Sequence, residues 1–377
     1  MFLKKLKTEV SLQDLPGRVY IRLKEPFRFE FFNYVAKRSG SMAKLAASFG
    51  ITCQYIHMYE KGVYSIPLRF VEKLLDICPK NERNEILNKL QNNVEEIKLG
   101  PKGNPIINPK LPIRFSPTLA QIAGHIIGDG GIRKDLIARY TNQCDFLHNQ
   151  FMKDILTALG NVKPSSYRHA DNKKTKTIVF PGIVGLILTK FLGRQRKEFK
   201  HIPEIILHSD KNSKSLFLRA LFDDEGSVNI SPYTISFKMA SKKIIGLIKE
   251  LLMQFDIKTS KTIKIKGTQT QRDRYQFYIS GKANLERFNS EIGFDNPMQK
   301  EKLNILLKKY WKYQTEEFRT MVIKSLKEND KMNFSELAKK LNRKTTSRLR
   351  QRLIKLEKEG VINTGMDGRF KIYFVNY

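Results

Sequence analysis

The chain has 377 residues, 69 of them Lys or Arg and 37 Asp or Glu, giving a formal net charge of +32. Self-repulsion at that level opposes compaction, so a polyanionic partner is expected, and a small-molecule enzyme gains nothing from such a field. With 41% hydrophobic and 10% aromatic residues there is material for real cores, which excludes a disordered chain.

No apolar run approaches the ~18–20 residues of a membrane span. The start, MFLKKLKTEV, lacks the apolar region of a secretory signal. Cys53, Cys78 and Cys144 show no CxxC spacing, so neither a disulfide framework nor a thiolate zinc site is expected, and a reducing cytoplasm fits. The basic residues are spread along the chain, with no lipidation signal or amphipathic helix beside them. That favours nucleic acid over an anionic membrane surface.

In chain order, residues 1–99 open with a β-like run, Arg18 to Leu23, followed by short helical patterns. Met42–Ile51 reads as a helix ending at a glycine turn, and Thr52 N-caps a second helix, Cys53–Lys61, closed by Gly62. Ala46, Ile51, Ile56 and Tyr59 have buried-face spacing, matched by Val71, Leu74 and Leu75 on a later helix. This is a helix-turn-helix pattern. A proline- and glycine-rich stretch, GPKGNPIINPKLP at 100–112, reads as a linker.

Residues 113–312 alternate helical stretches with β-like ones at Thr177–Phe180, Thr234–Phe237, Thr262–Lys266 and Arg274–Ile279. A shift of 96 residues lays Phe151–Leu156 on Leu247–Leu252 with matching character. The same shift lays Asp129 on Glu225, Gly130 on Gly226 and Ile132 on Val228. One gap-free register over a helix and a separate acid–glycine pair points to two copies of one α/β unit about a pseudo-twofold axis.

Each copy carries an apolar helix running into an acid and a glycine: Ile122–Gly130 (IAGHIIGDG) and Leu218–Gly226 (LRALFDDEG). Ala120, Gly124 and Gly128 recur every four residues, leaving one helix face almost without side chains, so two backbones can approach closely. Asp129 and Glu225 then emerge at one end of a two-helix seam. Two close carboxylates repel unless a cation neutralises them. Mg²⁺, or Mn²⁺ in its place, takes oxygen ligands there and supports phosphodiester hydrolysis.

These paired motifs resemble the LAGLIDADG homing-endonuclease family in its single-chain, two-repeat form. The resemblance spans roughly residues 113–312 and includes HIPEII at His201–Ile206 and IGFDNPMQK at Ile292–Lys300. It implies an α+β fold of two pseudo-symmetric αββαββα repeats (about 113–207 and 208–312) forming a saddle. It further implies double-stranded DNA as the partner, cut with Mg²⁺ or Mn²⁺. By position, Asp129 and Glu225 match the metal-binding catalytic acid, and Gly124 and Ala220 the small residue of the seam. Lys197 and Lys300 follow the last strand of each repeat, where the family often keeps a basic residue near the scissile phosphate. Two departures stand out: Ile127 replaces the structural acid that Asp223 retains, and Asp224 occupies a place where a small residue is usual.

Residues 31–78 resemble the Cro/cI-like helix-turn-helix class, which implies DNA contacts from Gln54, Tyr55 and Lys61. Residues 316–377 hold helical patterns at Phe318–Lys327, Phe334–Leu341 and Ser347–Lys358 and a glycine-turned hairpin, VINTGMDGRFKIYFV. They look like a winged helix: Leu349, Leu353 and Leu356 form a core stripe, with Arg348, Gln351, Arg352 and Lys355 offered to DNA. Both flanks are expected to be all-α apart from the wing.

The expected function is a site-specific double-strand DNA endonuclease, monomeric, in the prokaryotic cytoplasm and not in a membrane. The alternative is a DNA-binding regulator on a non-cleaving LAGLIDADG scaffold. The chain starts at Met1 and ends Asn376-Tyr377, without the terminal Cys/Ser and His-Asn of a self-splicing intein, so no intein form is expected.

Overall fold

Val19, Ile21 and Leu23 are fully buried, and their alternation makes the strand that organises the N-terminal segment. The computed structural model describes residues 6–170, 174–195, 200–268, 273–311 and 315–375. The chain divides into two compact units, Met1–Leu303 and Asn304–Tyr377.

The first unit begins with β1 (Glu9–Val10), β2 (Val19–Leu23), α1 (Phe27–Arg38), α2 (Met42–Ser48) and α3 (Cys53–Glu60). It continues with β3 (Ile66–Pro67), α4 (Leu68–Ile77), α5 (Arg83–Asn92), β4 (Val94–Leu99), β5 (Ile106–Ile107) and β6 (Ile113–Arg114). Ser41 caps α2, and Thr52 caps α3 by accepting from the Tyr55 amide. Gly50, at φ +63°, turns the chain between the two helices. Buried Arg28 ties α3 to the sheet, donating from Nε to Glu60 O at 2.7 Å and from Nη1 to Leu23 O at 2.8 Å. A cation at the C-terminal end of α3 satisfies a free carbonyl and suits the helix dipole.

Two expectations change here. The N-terminal flank is not all-α, because β2, β3, β4 and β5 form a sheet against the helices. Nor does the 100–112 stretch separate compact units: Ile106 is fully buried and β5 pairs with both β4 and β9 (Asn161–Val162). The five-stranded order β3-β2-β4-β5-β9 therefore joins the N-terminal segment to the first repeat.

The first repeat runs α6 (Pro117–Ile127), β7 (Gly130–Ile132), β8 (Ala138–Asn142), α7 (Asp145–Leu159), then β9, β10 (Ser165–Arg168), β11 (Lys176–Phe180) and α8 (Gly182–Leu192). After a single turn, α9 (Glu204–Leu207), the second runs α10 (Lys211–Glu225), β12 (Gly226–Asn229), β13 (Thr234–Met239), α11 (Lys242–Met253), β14 (Ile263–Ile265), β15 (Arg274–Ser280) and α12 (Lys282–Glu291). The antiparallel sheets are ordered β7-β8-β11-β10 and β12-β13-β15-β14, the same topology twice. The fold is mixed α+β, and the repeat read from the 96-residue shift is a structural one.

Between the repeats, α6 lies on α10 with almost nothing between the backbones. A Cβ on Gly124 would stand 2.5 Å from Phe217 O and 2.7 Å from Ala220 Cβ. Beside the seam, Phe222 packs on Phe237 and Phe288 at ring separations of 4.8 and 4.9 Å. On the other side Phe151 packs on Tyr140 at 4.7 Å.

The helix α13 (Pro297–Trp311) leads to α14 (Thr315–Asn329), β16 (Met332–Asn333), α15 (Phe334–Lys340), α16 (Ser347–Lys358), β17 (Asn363–Asp367) and β18 (Phe370–Phe374). Asn333 and Glu336 form a capping box at α15. Leu349, Leu353 and Leu356 are buried together with Val322, Leu326 and Leu337, under the sheet β16-β18-β17.

Two glycines on described helices test the seam against helix propensity. Gly124→Ala should destabilise by about 1–3 kcal/mol in urea unfolding, because the clash is with backbone and cannot relax. Gly246→Ala, on α11 with nothing within 4 Å of its added Cβ, should instead stabilise by up to about 1 kcal/mol. Arg28→Leu should cost about 1–3 kcal/mol in the same measurement, since it leaves buried carbonyls without donors.

A candidate active site at the helix seam

Both seam helices end at the acids. α6 gives way to Gly128 and Asp129, and Glu225 is the last residue of α10 before Gly226. Each glycine is demanded by crowding: a Cβ on Gly128 would lie 2.5 Å from Asp224 Oδ2, and one on Gly226 would lie 2.4 Å from Phe222 O. The structure thus brings the repeat-related acids to one end of the seam. Asp129 keeps solvent access at the residue level while its carboxyl group is crowded by surrounding protein, and Glu225 is half-buried.

Three neighbouring acids have different surroundings. Asp223 is buried and accepts from the Asp295 and Asn296 amides, at 3.1 and 2.9 Å, at the start of α13. That is a structural role, and Ile127 in the first repeat has no counterpart to it. Asp224 has a fully buried carboxylate. Its Oδ1 accepts from Tyr140 Oη at 2.6 Å and Asn142 Nδ2 at 3.3 Å. Its Oδ2 lies 3.1 Å from His125 Nδ1 and 3.3 Å from the Asp129 amide. Asn142 Nδ2 also donates to Asp129 Oδ2 at 2.9 Å. Asp224 therefore does not crowd the seam: it fills the space that Gly128 leaves open.

The crowding raises proton affinity. Burial, then the Asp224 and Glu225 charges, push Asp129 up to about 8. Burial, then Asp224, push Glu225 to about 7. Burial pushes Asp223 to about 7 despite its amide donors. Burial alone would hold His125 neutral, but the Asp224 charge and hydrogen bond reverse this and raise it.

Lys200 is the basic group at the seam end. Its Nζ donates to Ile127 O at 2.8 Å and Gly128 O at 2.5 Å. Burial lowers its proton affinity, opposed by the charges of Glu225, Asp129 and Asp224. Lys197 lies outside the described residues. Lys300 is exposed in the first turn of α13 and enters no hydrogen bond or ion pair with the two acids. Reading basic residues from strand ends pointed at Lys197 and missed Lys200; its place directly before HIPEII was the available signal. Lys200 and, after it, Arg274 at the start of β15 are the cations whose charges act on Glu225.

The flanking candidates are distributed unevenly. Gln54, Tyr55 and Lys61 are exposed on and just after α3, and the Tyr55 ring leans on Tyr64 at 5.7 Å. Arg348, Gln351 and Lys355 are exposed on α16. Arg352 is half-buried, with its guanidinium 5.1 Å over the Phe318 ring, so it is partly spent within its own unit.

Among the described residues no helix is long and apolar enough to cross a membrane. Residues 212–293, most of the second repeat, match the family model described as LAGLIDADG-like domain. Curated relatives include glutamine--fructose-6-phosphate aminotransferase of Methanocaldococcus jannaschii, 29% identical over 212 residues, which are 55% of this chain and 18% of that protein. The probable translation initiation factor IF-2 of the same organism is 29% identical over 231 residues, 58% of this chain and 19% of that protein. The chain spans about a fifth of the length of these relatives. Among solved structures, the homing endonuclease I-DmoI in complex with DNA and Mn aligns at 15% identity and TM-score 0.35, covering 47% of this chain and 96% of that one. Full-length DUF199/WhiA from Thermatoga maritima aligns at 14% identity and TM-score 0.37, covering 64% and 90%.

Proposed function

We propose that the protein is a site-specific, metal-dependent DNA endonuclease of the LAGLIDADG type, with the flanking modules extending the DNA contact. The observation that carries this is the convergence of Asp129, Glu225 and Lys200 at one end of the seam, in a chain of +32 charge. Acids placed among phosphates make sense where a cation intervenes.

The donor set suits a divalent ion. Asp129 and Glu225 offer hard oxygens, and their raised proton affinities, set first by burial and then by the Asp224 charge, mark carboxylates whose negative charge a bound cation would stabilise. Among the described residues no three His, Cys, Asp or Glu side chains are grouped to hold a metal. Two carboxylates suffice for Mg²⁺ when phosphate oxygens and water complete the shell. Once bound, the ion supplies an activated water and charge neutralisation at the leaving oxygen. The protein's own contribution is placement. The seam fixes both acids, Asn142 orients Asp129, and Lys200 offers an ammonium that stabilises negative charge developing on a phosphate.

For the flanks, we read α2–α3 as a Cro/cI-like helix-turn-helix presenting Gln54, Tyr55 and Lys61. We read the C-terminal unit as a winged helix presenting Arg348, Gln351 and Lys355, with Arg352 the weakest contributor because of Phe318. The regulator alternative shares these surfaces and differs only in leaving its DNA intact.

On cognate duplex with Mg²⁺ or Mn²⁺, Asp129→Asn and Glu225→Gln should each lower double-strand cleavage by a factor on the order of 10²–10³. DNA retention in Ca²⁺ gel shifts should persist. Tight, specific binding with no cuts on a proven cognate site would instead establish the regulator.

The raised acids also give the metal-free protein a pH signature. Their folded proton affinities exceed the unfolded ones, so the stability they contribute is present below about pH 4 and lost as pH rises through about 7–8. Thermal unfolding in EDTA should therefore show a melting temperature that falls between about pH 5 and pH 8.5. Excess Mg²⁺ should restore it at the upper end, and Asp129→Asn with Glu225→Gln should flatten the profile.

A further inference from the structure

The two repeats share a backbone topology but not the polar groups around their acids. Gly130 pairs with Tyr140 across β7–β8, and Gly226 pairs with Phe237 across β12–β13, so Phe237 stands at the place of Tyr140. Two residues on, Met239 stands at the place of Asn142. Four residues before each acid, Leu221 stands at the place of His125; one before, Gly128 stands at the place of Asp224. Leu221, Phe237 and Met239 are buried and apolar. The three first-half members of the network are thus replaced in the second half by apolar residues, and the second-half member, Asp224, has only Gly128 as its counterpart in the first.

The network is also built across the seam. Asp224 belongs to the second repeat, yet all its side-chain partners (His125, Tyr140, Asn142 and the Asp129 amide) lie in the first. Gly128 returns no side chain. Among the described residues no hydrogen-bond donor reaches the Glu225 carboxylate, whereas Asp129 is held by Asn142 at 2.9 Å.

We propose that Asp224 is a positioning residue that acts across the seam on the Asp129 half alone, leaving the two halves unequally preorganised. A fully buried carboxylate with four partners has one arrangement available, and it fixes the turn from α6 into β7 together with the Asn142 amide. For DNA cleavage, which rests on the nuclease reading above, the inference is that Asp224 controls one strand and not the other.

The direct test is hydrogen exchange on the full chain, read by mass spectrometry, for wild type, Asp224→Ala and Asn142→Ala. The rim variant Asn142→Ala guards against misfolding of the core variant. Exchange over 128–142 should quicken by about ten-fold or more, while the matched segment 225–239 moves less than about two-fold, although Asp224 is adjacent to it in sequence. Equal loosening of both segments, or loosening confined to 225–239, would overturn the proposal.

On an end-labelled duplex that the wild type cuts, Asp129→Asn identifies the strand served by that half. Asp224→Ala should slow cutting of the same strand by about 10–100-fold and accumulate nicks in the other. Equal slowing of both strands would reject strand control. A wild type that cuts no DNA would end the nuclease reading, and the exchange experiment would still decide the role of Asp224.

Discussion

The site depends on the approach of α6 and α10 to backbone contact. At Gly124 there is no room for a methyl group between Phe217 O and Ala220. That closeness is what carries the helix ends, and so Asp129 and Glu225, to the same place. Helices separated by ordinary side chains pack with axes about 8–10 Å apart, which would splay the two ends. Small residues at spacing four thus act electrostatically as well as in packing: they bring like charges to one end of the seam, which is what the proposed cation would neutralise.

The acids at this seam answer burial in three ways. Asp223 takes backbone amides, fixes the start of α13 and has no part in solvent chemistry. Asp224 takes the phenol, amide and imidazole groups of the opposite repeat. Asp129 and Glu225 are left with little internal compensation, and they are the two whose place in the repeats is equivalent. The partition follows donor supply. Donors hold Asp223 and Asp224 each in one arrangement, although burial still raises the proton affinity of Asp223 as it does that of Asp129 and Glu225.

Much of this was legible in the sequence because it is periodic. The 96-residue register holds through α7 and α11, and the β-like runs at Thr177–Phe180 and Arg274–Ile279 lie within β11 and β15. The seam glycines and the acid pair followed from spacing alone. The His125–Tyr140–Asn142–Asp224 network did not, because its members are scattered over 99 positions and each reads locally as core or strand. Lys200 was obscured similarly, since its role depends on carbonyls that only the end of α6 exposes. The sheet that joins the N-terminal segment to the first repeat was hidden by prolines and glycines, which marked 100–112 as a linker although Ile106 is core.

That sheet bears on how the proposed DNA contacts are arranged. Because β5 pairs with β9, the strands of the N-terminal segment and the first repeat share a continuous ladder of hydrogen bonds, and Arg28 anchors α3 to it. A module held in this way meets DNA in fixed register with the repeat beside it, so its contacts add to affinity without a separate ordering cost. The first half then combines the joined segment, Asp129 held by Asn142 and the network from Asp224, whereas among the described residues no hydrogen-bond donor reaches the Glu225 carboxylate. Duplication supplied a symmetric frame, and the chemistry placed on it is one-sided.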